Sequence, residues 1–539
     1  MTLEQLSAQD CATDQAPIHC LPDEILEVIF LINNSKLVER DHLYDPHSTT
    51  LATAQVCQRW RAVALNYPII WSRIINYEQH SPLWIESLLA RSGSTLIDVG
   101  GPGDSIFKSV KLQQPRTMPV LQSIFKRTAS LKTVSLCIRD GPWESICRSF
   151  LQHPAPNLES LVLMTSRTFP DCHPNPLFSN EAPCLRRLHL RRCLIDLSSS
   201  ALSNLTRLSV WDVTLRTVIS ASAKLKLVPS VAEWLRVLKN IPLLRFLTLS
   251  NAISHSTKHE QPLHDVDLPH LTFLKLNSRL YSGISLIDHL NIPPSCGIEF
   301  WLYRHGDPGR FTVALDGPKL LSFLFKQLIY WPQNCSDRYL QAKKHGGKIR
   351  FGNSKRIGQV SYMTESLFEE HSSCHSKDPI LSLVLVFDPL DDSFGFFNQL
   401  LELYSSTFST ITTLDLWLDQ ESASGTTATI NNNSFPAFDT FRSFTNVKTL
   451  NLVEQSPLYL LPLFQHSSHP LFPALHSLQL TGTNMEDEQG VMCGVFVTFL
   501  LKRAEVGIPL AEIKMLGGYM SSQTAEDLSR IGDLRVTLD

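Results

Sequence analysis

The chain has 539 residues and a formal net charge of −3, and 82 of its residues are leucine. At about 100–200 residues per domain, this length allows several ordinary domains, or one small domain followed by a long repeat array. The charge balance excludes a protein that binds nucleic acid with its whole surface. No apolar stretch approaches the ~18 residues of a membrane helix, and the first residues lack the pattern of a signal peptide. We therefore expect a cytoplasmic or nuclear protein with reduced cysteines.

The N-terminal part is predicted to be helical. Residues 1–17 are expected to be a flexible polar tail and residues 18–75 a small all-α domain. Its first helix opens at Pro22, a residue suited to a first helical turn, and apolar residues then recur at helical spacing. A polar loop over 33–48 and a second helix from about Thr50 to Asn66 come next. Residues 76–95 are predicted to hold a linking helix.

From about Leu96 a new pattern begins, because the string P-x-L-x-x-L-x-L occurs five times. Consecutive copies and their variants are spaced by 27 or 28 residues, a period typical of leucine-rich repeats. Such regular spacing predicts one array over residues 96–539, with a basic insertion near 338–364. The five strings start at Pro156, Pro183, Pro242, Pro269 and Pro473.

The last two leucines of each string are two residues apart, so on a β-strand they face the same side. Helix-like segments lie between the strings, and neither element can bury its leucines alone. The predicted fold class is therefore α/β: an all-α N-terminal domain, then a solenoid with parallel strands on its concave face and helices on its convex face. Because no regular asparagine follows the strands, irregular turns are expected.

Residues 18–75 resemble an F-box. Three short motifs carry the resemblance, and the order and spacing of the three together are specific. The whole chain is similar to the F-box proteins with degenerate leucine-rich repeats found in mushroom-forming fungi, although the 33–48 loop is longer than in a compact F-box. The motifs are Leu21-Pro22-x-Glu24-Ile25-Leu26-x-x-Ile29-Phe30, Val56-Cys57-x-x-Trp60-Arg61-x-Val63-Ala64 and Pro68-x-x-Trp71-x-x-Ile74.

The resemblance implies a substrate-recognition subunit of a cullin–RING (SCF-type) ubiquitin ligase. The F-box would bind a Skp-family adaptor, and through it a cullin, while the repeats would bind an unknown target protein. A helical block of this size cannot bury all its apolar groups, and exposed apolar surface favours a partner. For Trp60, core and interface are both open. The residues expected to contact the adaptor are Leu21, Pro22, Ile25, Ile29, Leu51, Val56, Trp60 and Trp71.

Strand residues that alternate with the leucines point away from the core, and in a solenoid they form the binding surface. Phe246 and Phe273 occupy the same position in repeats 27 residues apart, so we expect them to be neighbours. Either they anchor a partner or another segment covers them. The predicted target-binding residues are Arg187, His189, Phe246, Phe273 and Lys275.

The sequence offers little for other classes of function. Cys172, His173, Cys184, His189 and Cys193 form no closely spaced ligand pairs, so no metal is expected. The basic segment 338–364 fits either a solvated loop or an anion-binding insertion. No motif of an enzyme or cofactor site is present, so neither catalysis nor a cofactor is expected. A scaffold whose F-box-like block only caps the solenoid remains the alternative to a ligase subunit, and neither membrane nor nucleic acid is expected as a partner.

Overall fold

The computed structural model consists of two compact units, which divide between Leu205 and Thr206. Each unit combines helices with a mainly parallel β-sheet. The division falls inside the predicted repeat array and not at its start near residue 96. The predicted tail, 1–17, lies outside the described residues. The structure describes residues 21–34, 46–100, 117–138, 146–165, 176–213, 228–254, 263–303, 317–324, 339–345, 348–352, 381–386, 399–402, 408–418, 441–454, 456–457, 460, 471–486, 491–531 and 534–538.

The described part of the first unit begins with four helices and continues as alternating strands and helical segments. The elements are α1 (Asp23–Asn33), α2 (Pro46–Thr53), α3 (Gln58–Leu65), α4 (Pro68–Ser72), β1 (Ile75–Asn76), α5 (Pro82–Ser92), β2 (Ile97–Gly100), α6 (Thr117–Phe125), β3 (Leu131–Ile138), β4 (Ser160–Thr165) and β5 (Arg187–Arg191).

The second unit contains the remaining strands and four longer helices among its described residues. The elements are β6 (Arg207–Trp211), α7 (Val231–Lys239), β7 (Phe246–Ser250), β8 (Val266–Asp267), β9 (Phe273–Arg279), α8 (Leu280–Asp288), β10 (Leu290–Asn291), β11 (Gly297–Tyr303), β12 (Tyr339–His345), β13 (Lys348–Gly352), β14 (Leu381–Val386), β15 (Thr413–Leu418), β16 (Thr449–Val453), β17 (Ser477–Thr481), α9 (Val491–Glu505), β18 (Glu512–Leu516), α10 (Ser522–Ser529) and β19 (Arg535–Leu538).

The helical block differs from the prediction in its second helix, which is two helices. The chain breaks after Thr53, and Cys57 takes an extended conformation as the N-cap of α3, where its Sγ accepts a hydrogen bond from the Trp60 N–H. α2 also starts earlier than expected, at Pro46, inside the predicted loop. Asn34 ties the block together: its amide donates to the Thr50 hydroxyl and to the Ile70 carbonyl.

The leucine strings form strands as predicted. In the first unit β1 to β5 pair in order and in parallel, with Leu161 opposite Leu188 and Leu163 opposite Leu190. All four leucines are buried. In the second unit Leu247 and Leu274 are likewise paired and buried. Strings that are equally spaced along the chain thus pair with their leucines opposite one another. The leucines therefore stack into a continuous core in each unit.

The sheet of the second unit is not entirely parallel. β14 pairs with β11, and the hairpin of β12 and β13 lies between β14 and β15. β13 is antiparallel to both of its neighbours. The predicted basic insertion therefore contributes two sheet strands and is not simply a solvated loop; Arg338 and residues 353–364 lie outside the described residues.

Six of the described strands end in the same kind of turn, whereas the sequence predicts irregular turns. The residue directly after each of these strands, one in the first unit and five in the second, takes a positive φ, and in several of them its N–H continues the sheet bonding, as when Asn251 donates to the Asn277 carbonyl. The left-handed conformation itself turns the chain, so a regular asparagine is not needed. The residues at this position are Arg192, Asp212, Asn251, Glu454, Gly482 and Gly517.

Candidate functional site

The first candidate site is an apolar ridge on α1. Ile25, Val28 and Ile32 recur at helical spacing and are 45%, 50% and 59% exposed. Their neighbours Leu26 and Phe30 are buried on the opposite side of the helix. The helix is thus apolar on two faces, of which one is buried and the other is exposed among the described residues. A second apolar face on so small a block is typical of a surface that contacts a protein.

A polar clamp joins α3 to the start of this ridge. The Arg59 guanidinium donates to the Asp23 carboxylate at 2.6 Å and to the Leu21 carbonyl. Val56, just before α3, is 61% exposed. The clamp therefore holds the first two F-box-like motifs side by side at one end of the block.

The predicted adaptor residues fall into three groups. Pro22, Ile25 and Val56 are exposed, whereas Leu21, Ile29, Leu51 and Trp60 are half-buried. The half-buried Trp60 also packs its ring 5.2 Å from that of Phe30, so it contributes to the core as well as the surface. The eighth residue, Trp71, is buried.

Trp71 belongs to the core of the helical block, which corrects its assignment to the adaptor surface. Its side chain is 1% exposed, and its indole N–H donates to the Ala64 carbonyl at 2.7 Å. The guanidinium of Arg91, on α5, lies 4.8 Å from the ring centre. A docked protein could not reach this ring in the present conformation.

Val28 and Ile32 were missed as candidates because the F-box-like motif does not include them. The signal was present in the sequence: the positions 25, 28, 29 and 32 lie on one side of a helix. A helical projection of α1, used without the motif, identifies the ridge.

The second candidate site is the sheet face opposite the leucines. In the first unit, Arg187 is exposed and His189 lies opposite Val162. Burial lowers the pKa of His189 to about 3, and the positive charge of Arg191 adds to this effect. His189 is therefore neutral at neutral pH, and only Arg187 and Arg191 carry charge among these positions.

We expect His189 to make the stability of the first unit depend on pH. The unfolded histidine binds a proton near pH 6.5, but the folded one binds it only near pH 3, so stability falls as the pH is lowered through that window. Between pH 7.5 and pH 5 the loss should be about 2 kcal/mol. In urea unfolding, His189→Gln should remove this part of the pH dependence, and an unchanged dependence would contradict the burial of a neutral ring.

In the second unit, Phe246 and Phe273 are directly paired neighbours, as predicted. Phe273 and Lys275 are buried, however, which corrects their placement on an exposed binding surface. The Lys275 ammonium bonds to the Glu299 carboxylate at 3.0 Å and lies 5.4 Å from the centre of the Trp211 ring. The neighbouring strands thus bury the Lys275 side chain, and Glu299 and Trp211 stabilise its positive charge.

Half-buried aromatic residues lie on the accessible part of this face over β6, β7 and β11. Arg207 stacks on Phe246 with 4.2 Å between the guanidinium carbon and the ring centre. Tyr303 donates its hydroxyl proton to the side-chain oxygen of Asn251 at 2.8 Å. Trp211, Trp301 and Tyr303 were missed because β11 lacks the leucine string and because Trp211 comes after the last apolar position of its own string. Strand alternation alone would have found them.

The described part of the chain was also compared with the requirements of a metal site and of a membrane span. There, no three His, Cys, Asp or Glu side chains are grouped so that they could hold a metal ion. Cys193 is buried and donates to the Leu163 carbonyl, while Cys172 and His173 lie outside the described residues. Among the described helices, none combines the length and hydrophobicity needed to cross a membrane.

Comparison with known proteins adds no assignment. No protein-family model matches the chain, and no curated protein shows detectable similarity to it.

Proposed function

We propose that the protein is a substrate-recognition subunit of a cullin–RING ubiquitin ligase. In this proposal the helical block is an F-box-like domain that binds a Skp-family adaptor, and the parallel sheets are leucine-rich repeats that bind the target. The protein itself performs no catalysis and acts in the cytoplasm or nucleus. One observation carries the proposal: the solvent-facing ridge of Ile25, Val28 and Ile32 coincides with the first F-box-like motif.

The ridge supports this function because the core of the block, as far as the structure describes it, is built from other residues. Leu26, Phe30 and Trp71 already provide the core of the block, and Asn34 and Arg59 hold its helices together. Branched apolar side chains exposed in a row would be costly without a partner. The proposed occupant is the adaptor, because the ridge lies within the segment that resembles an F-box.

This geometry defines the expected result of a binding experiment. Ile25→Asp combined with Val28→Asp places two carboxylates on the ridge and should weaken capture of a purified Skp-family adaptor by about 30-fold or more, the effect of losing a central contact. Both side chains are already exposed, so thermal unfolding should be nearly unchanged.

Val506→Asp and Leu83→Asp are the matched controls for this experiment. Val506 is 62% exposed, close to the 61% of Val56, but lies in the second unit, while Leu83 is an exposed residue of α5. Both variants should capture the adaptor as the unaltered protein does. Equal capture by the Ile25/Val28 variant and by these controls would contradict the proposed docking ridge.

A second candidate, a scaffold whose helical block only caps the first sheet, also has a specific observation in its favour. Ile75 and Asn76 leave the block as strand β1, which pairs with Val99 and Gly100 of β2. The Tyr77 hydroxyl then accepts the N–H of Cys137 at 2.7 Å. If the folded, unaltered chain captures the adaptor no better than the Ile25/Val28 variant, the block is a cap and not a docking domain.

A further inference from the structure

A row of polar side chains crosses the sheet face of β15 to β18 in the second unit. The strand register places Asp415, Asn451, Gln479 and Lys514 opposite one another in turn. All four side chains are half-buried, so a ligand on this face can contact the row. Asparagine is depleted in strands, so strand formation does not account for its place in the middle of the row.

The Thr481 hydroxyl joins the two amides of this row. It accepts a hydrogen bond from Gln479 Nε2 at 3.4 Å and donates its one proton to Asn451 Oδ1 at 3.0 Å. Among the described residues, no side chain or backbone group bonds to Asn451 Nδ2 or to Gln479 Oε1. Rotation of both amides would reverse this chain of bonds, and one donor group and one acceptor would again be left. The pair therefore presents a donor beside an acceptor on neighbouring strands.

The charged side chains around the two amides are of both signs. On strands β15 to β19 the face opposite the leucines holds two acids, Asp415 and Glu512, and two bases, Lys514 and Arg535. The Glu512 carboxylate bonds to the Lys514 ammonium at 3.1 Å and lies opposite Arg535. The bond to Lys514 lowers the pKa of the Glu512 carboxyl, so Glu512 is ionised at neutral pH. Charge complementarity on these strands therefore favours a ligand without a large net charge.

An extended peptide chain is the chemical complement of the two amides, because each of its peptide units carries one N–H donor and one C=O acceptor. Neighbouring strands are about 4.8 Å apart, so Asn451 and Gln479 can bond to the same short segment. In the next row along the strands, the half-buried Val453 and Leu516 lie on either side of Thr481. Apolar contacts are thus available beside the hydrogen-bonding groups, as peptide recognition on a sheet requires.

We propose that the face of β16 to β18 binds an extended, uncharged segment of the target protein, with Asn451 and Gln479 bonding to its main chain and Val453 and Leu516 contacting its side chains. The inference deepens the proposed function, because it names the chemistry of the target. It rests on that function only for the fate of the target once it is bound.

The test selects peptides of about twelve residues from a random phage-displayed library on the immobilised full chain, without adaptor. The enriched peptides are synthesised with a fluorescent label, and their binding is measured by anisotropy. We expect them to carry little net charge, and we expect their affinity to change less than about threefold when the salt concentration rises about tenfold. Methylation of single backbone nitrogens removes one N–H at a time and should weaken binding about tenfold at one or two positions.

Asn451→Leu combined with Gln479→Leu keeps side chains of similar size but removes the donor and the acceptor, so it should weaken peptide binding by about tenfold or more. Because asparagine is depleted in strands, the thermal midpoint should be equal or higher; if the double variant does not fold, the two single variants carry the test. Asn240→Leu with Gln523→Leu is the matched control. It removes two exposed amides at the end of α7 and on α10 and should change the affinity less than about twofold.

Ile25→Asp combined with Val28→Asp should retain peptide binding, which separates this test from that of the adaptor. The proposal would be overturned if no peptide were enriched above the level on immobilised albumin, or if the row variant and the control variant bound the peptides equally. An affinity that falls more than about tenfold over the same rise in salt would also overturn it, because charge and not main-chain bonding would then dominate recognition.

Discussion

Trp71→Ala is expected to lower the free energy of unfolding of the first unit by about 4 kcal/mol. The substitution removes a fully buried indole, leaves a cavity between α3, α4 and α5, and removes the shorter of the two hydrogen bonds to the Ala64 carbonyl, which keeps the Tyr67 N–H. Arg91 also loses the aromatic face against which it lies. Urea unfolding followed by circular dichroism at pH 7.5 measures the loss.

Trp71→Phe is the matched control for this substitution. Phenylalanine retains most of the buried ring and loses the hydrogen bond to Ala64, so the expected loss is about 1–2 kcal/mol. Because Trp71 is not on the α1 ridge, the phenylalanine variant should capture a Skp-family adaptor normally. A loss below about 1 kcal/mol for Trp71→Ala would contradict its core position.

Arg503→Ala is expected to destabilise the second unit by about 3–5 kcal/mol. Arg503 is 1% exposed, and its guanidinium donates to the carbonyls of Leu471, Phe472 and Leu475 at 2.9–3.1 Å. Burial lowers its pKa to about 10, so it is still charged at neutral pH. The substitution removes the guanidinium donor from all three carbonyls, of which only that of Phe472 keeps a described backbone donor, the Leu475 N–H. It also removes a buried stem and the guanidinium carbon that lies 5.5 Å from the centre of the Phe499 ring.

Arg503→Met separates these two causes, since methionine keeps an apolar stem of similar reach but donates no hydrogen bond. If the carbonyl bonds dominate, the methionine variant should lose nearly as much stability as the alanine variant. Unfolding of both variants should be followed by circular dichroism in urea. A loss of unfolding free energy under about 1 kcal/mol in both variants would show that Arg503 does not stabilise the segment from Leu471 to Leu475.

The sequence predicts the repeating elements well because their physical signal is local. Each leucine string indicates a strand by its alternation and also indicates which side of that strand is buried. Leu161, Leu188 and Leu247 could therefore be assigned to the core from the sequence alone. The capping box of Ser230 and Glu233, with both reciprocal bonds present, likewise begins α7 where the helical pattern does.

The features that the sequence could not predict depend on distant residues. The burial of Trp71, Phe273 and Lys275 is set by strands and helices that pack around them from other parts of the chain. The helix break at Cys57 depends on nearby residues only. It could not be predicted because apolar residues continue at helical spacing from one side of the break to the other. The hairpin of β12 and β13 lacks the leucine string, so its place between β14 and β15 is evident only from the strand register.

The exposed ridge was partly predicted. The resemblance to an F-box identified Ile25 and Val56, because both residues lie in the short motifs that carry it. Val28 and Ile32 lie on the same exposed face but outside the motif, and only the direction in which α1 packs reveals them. Similarly, the turn shared by six of the strands was not expected, because residues as different as Arg192 and Gly482 take the same left-handed conformation.

The central claim, that the ridge of Ile25, Val28 and Ile32 docks an adaptor, is tested most directly by titrating the purified chain with a purified Skp-family adaptor in a calorimeter. We predict one-to-one binding with a negative heat-capacity change, because apolar surface is buried, and loss of that binding in the Ile25→Asp, Val28→Asp variant. No heat of binding from the folded, unaltered chain at adaptor concentrations up to about 0.1 mM would contradict the claim, since a specific interface of this kind should reach micromolar affinity or better.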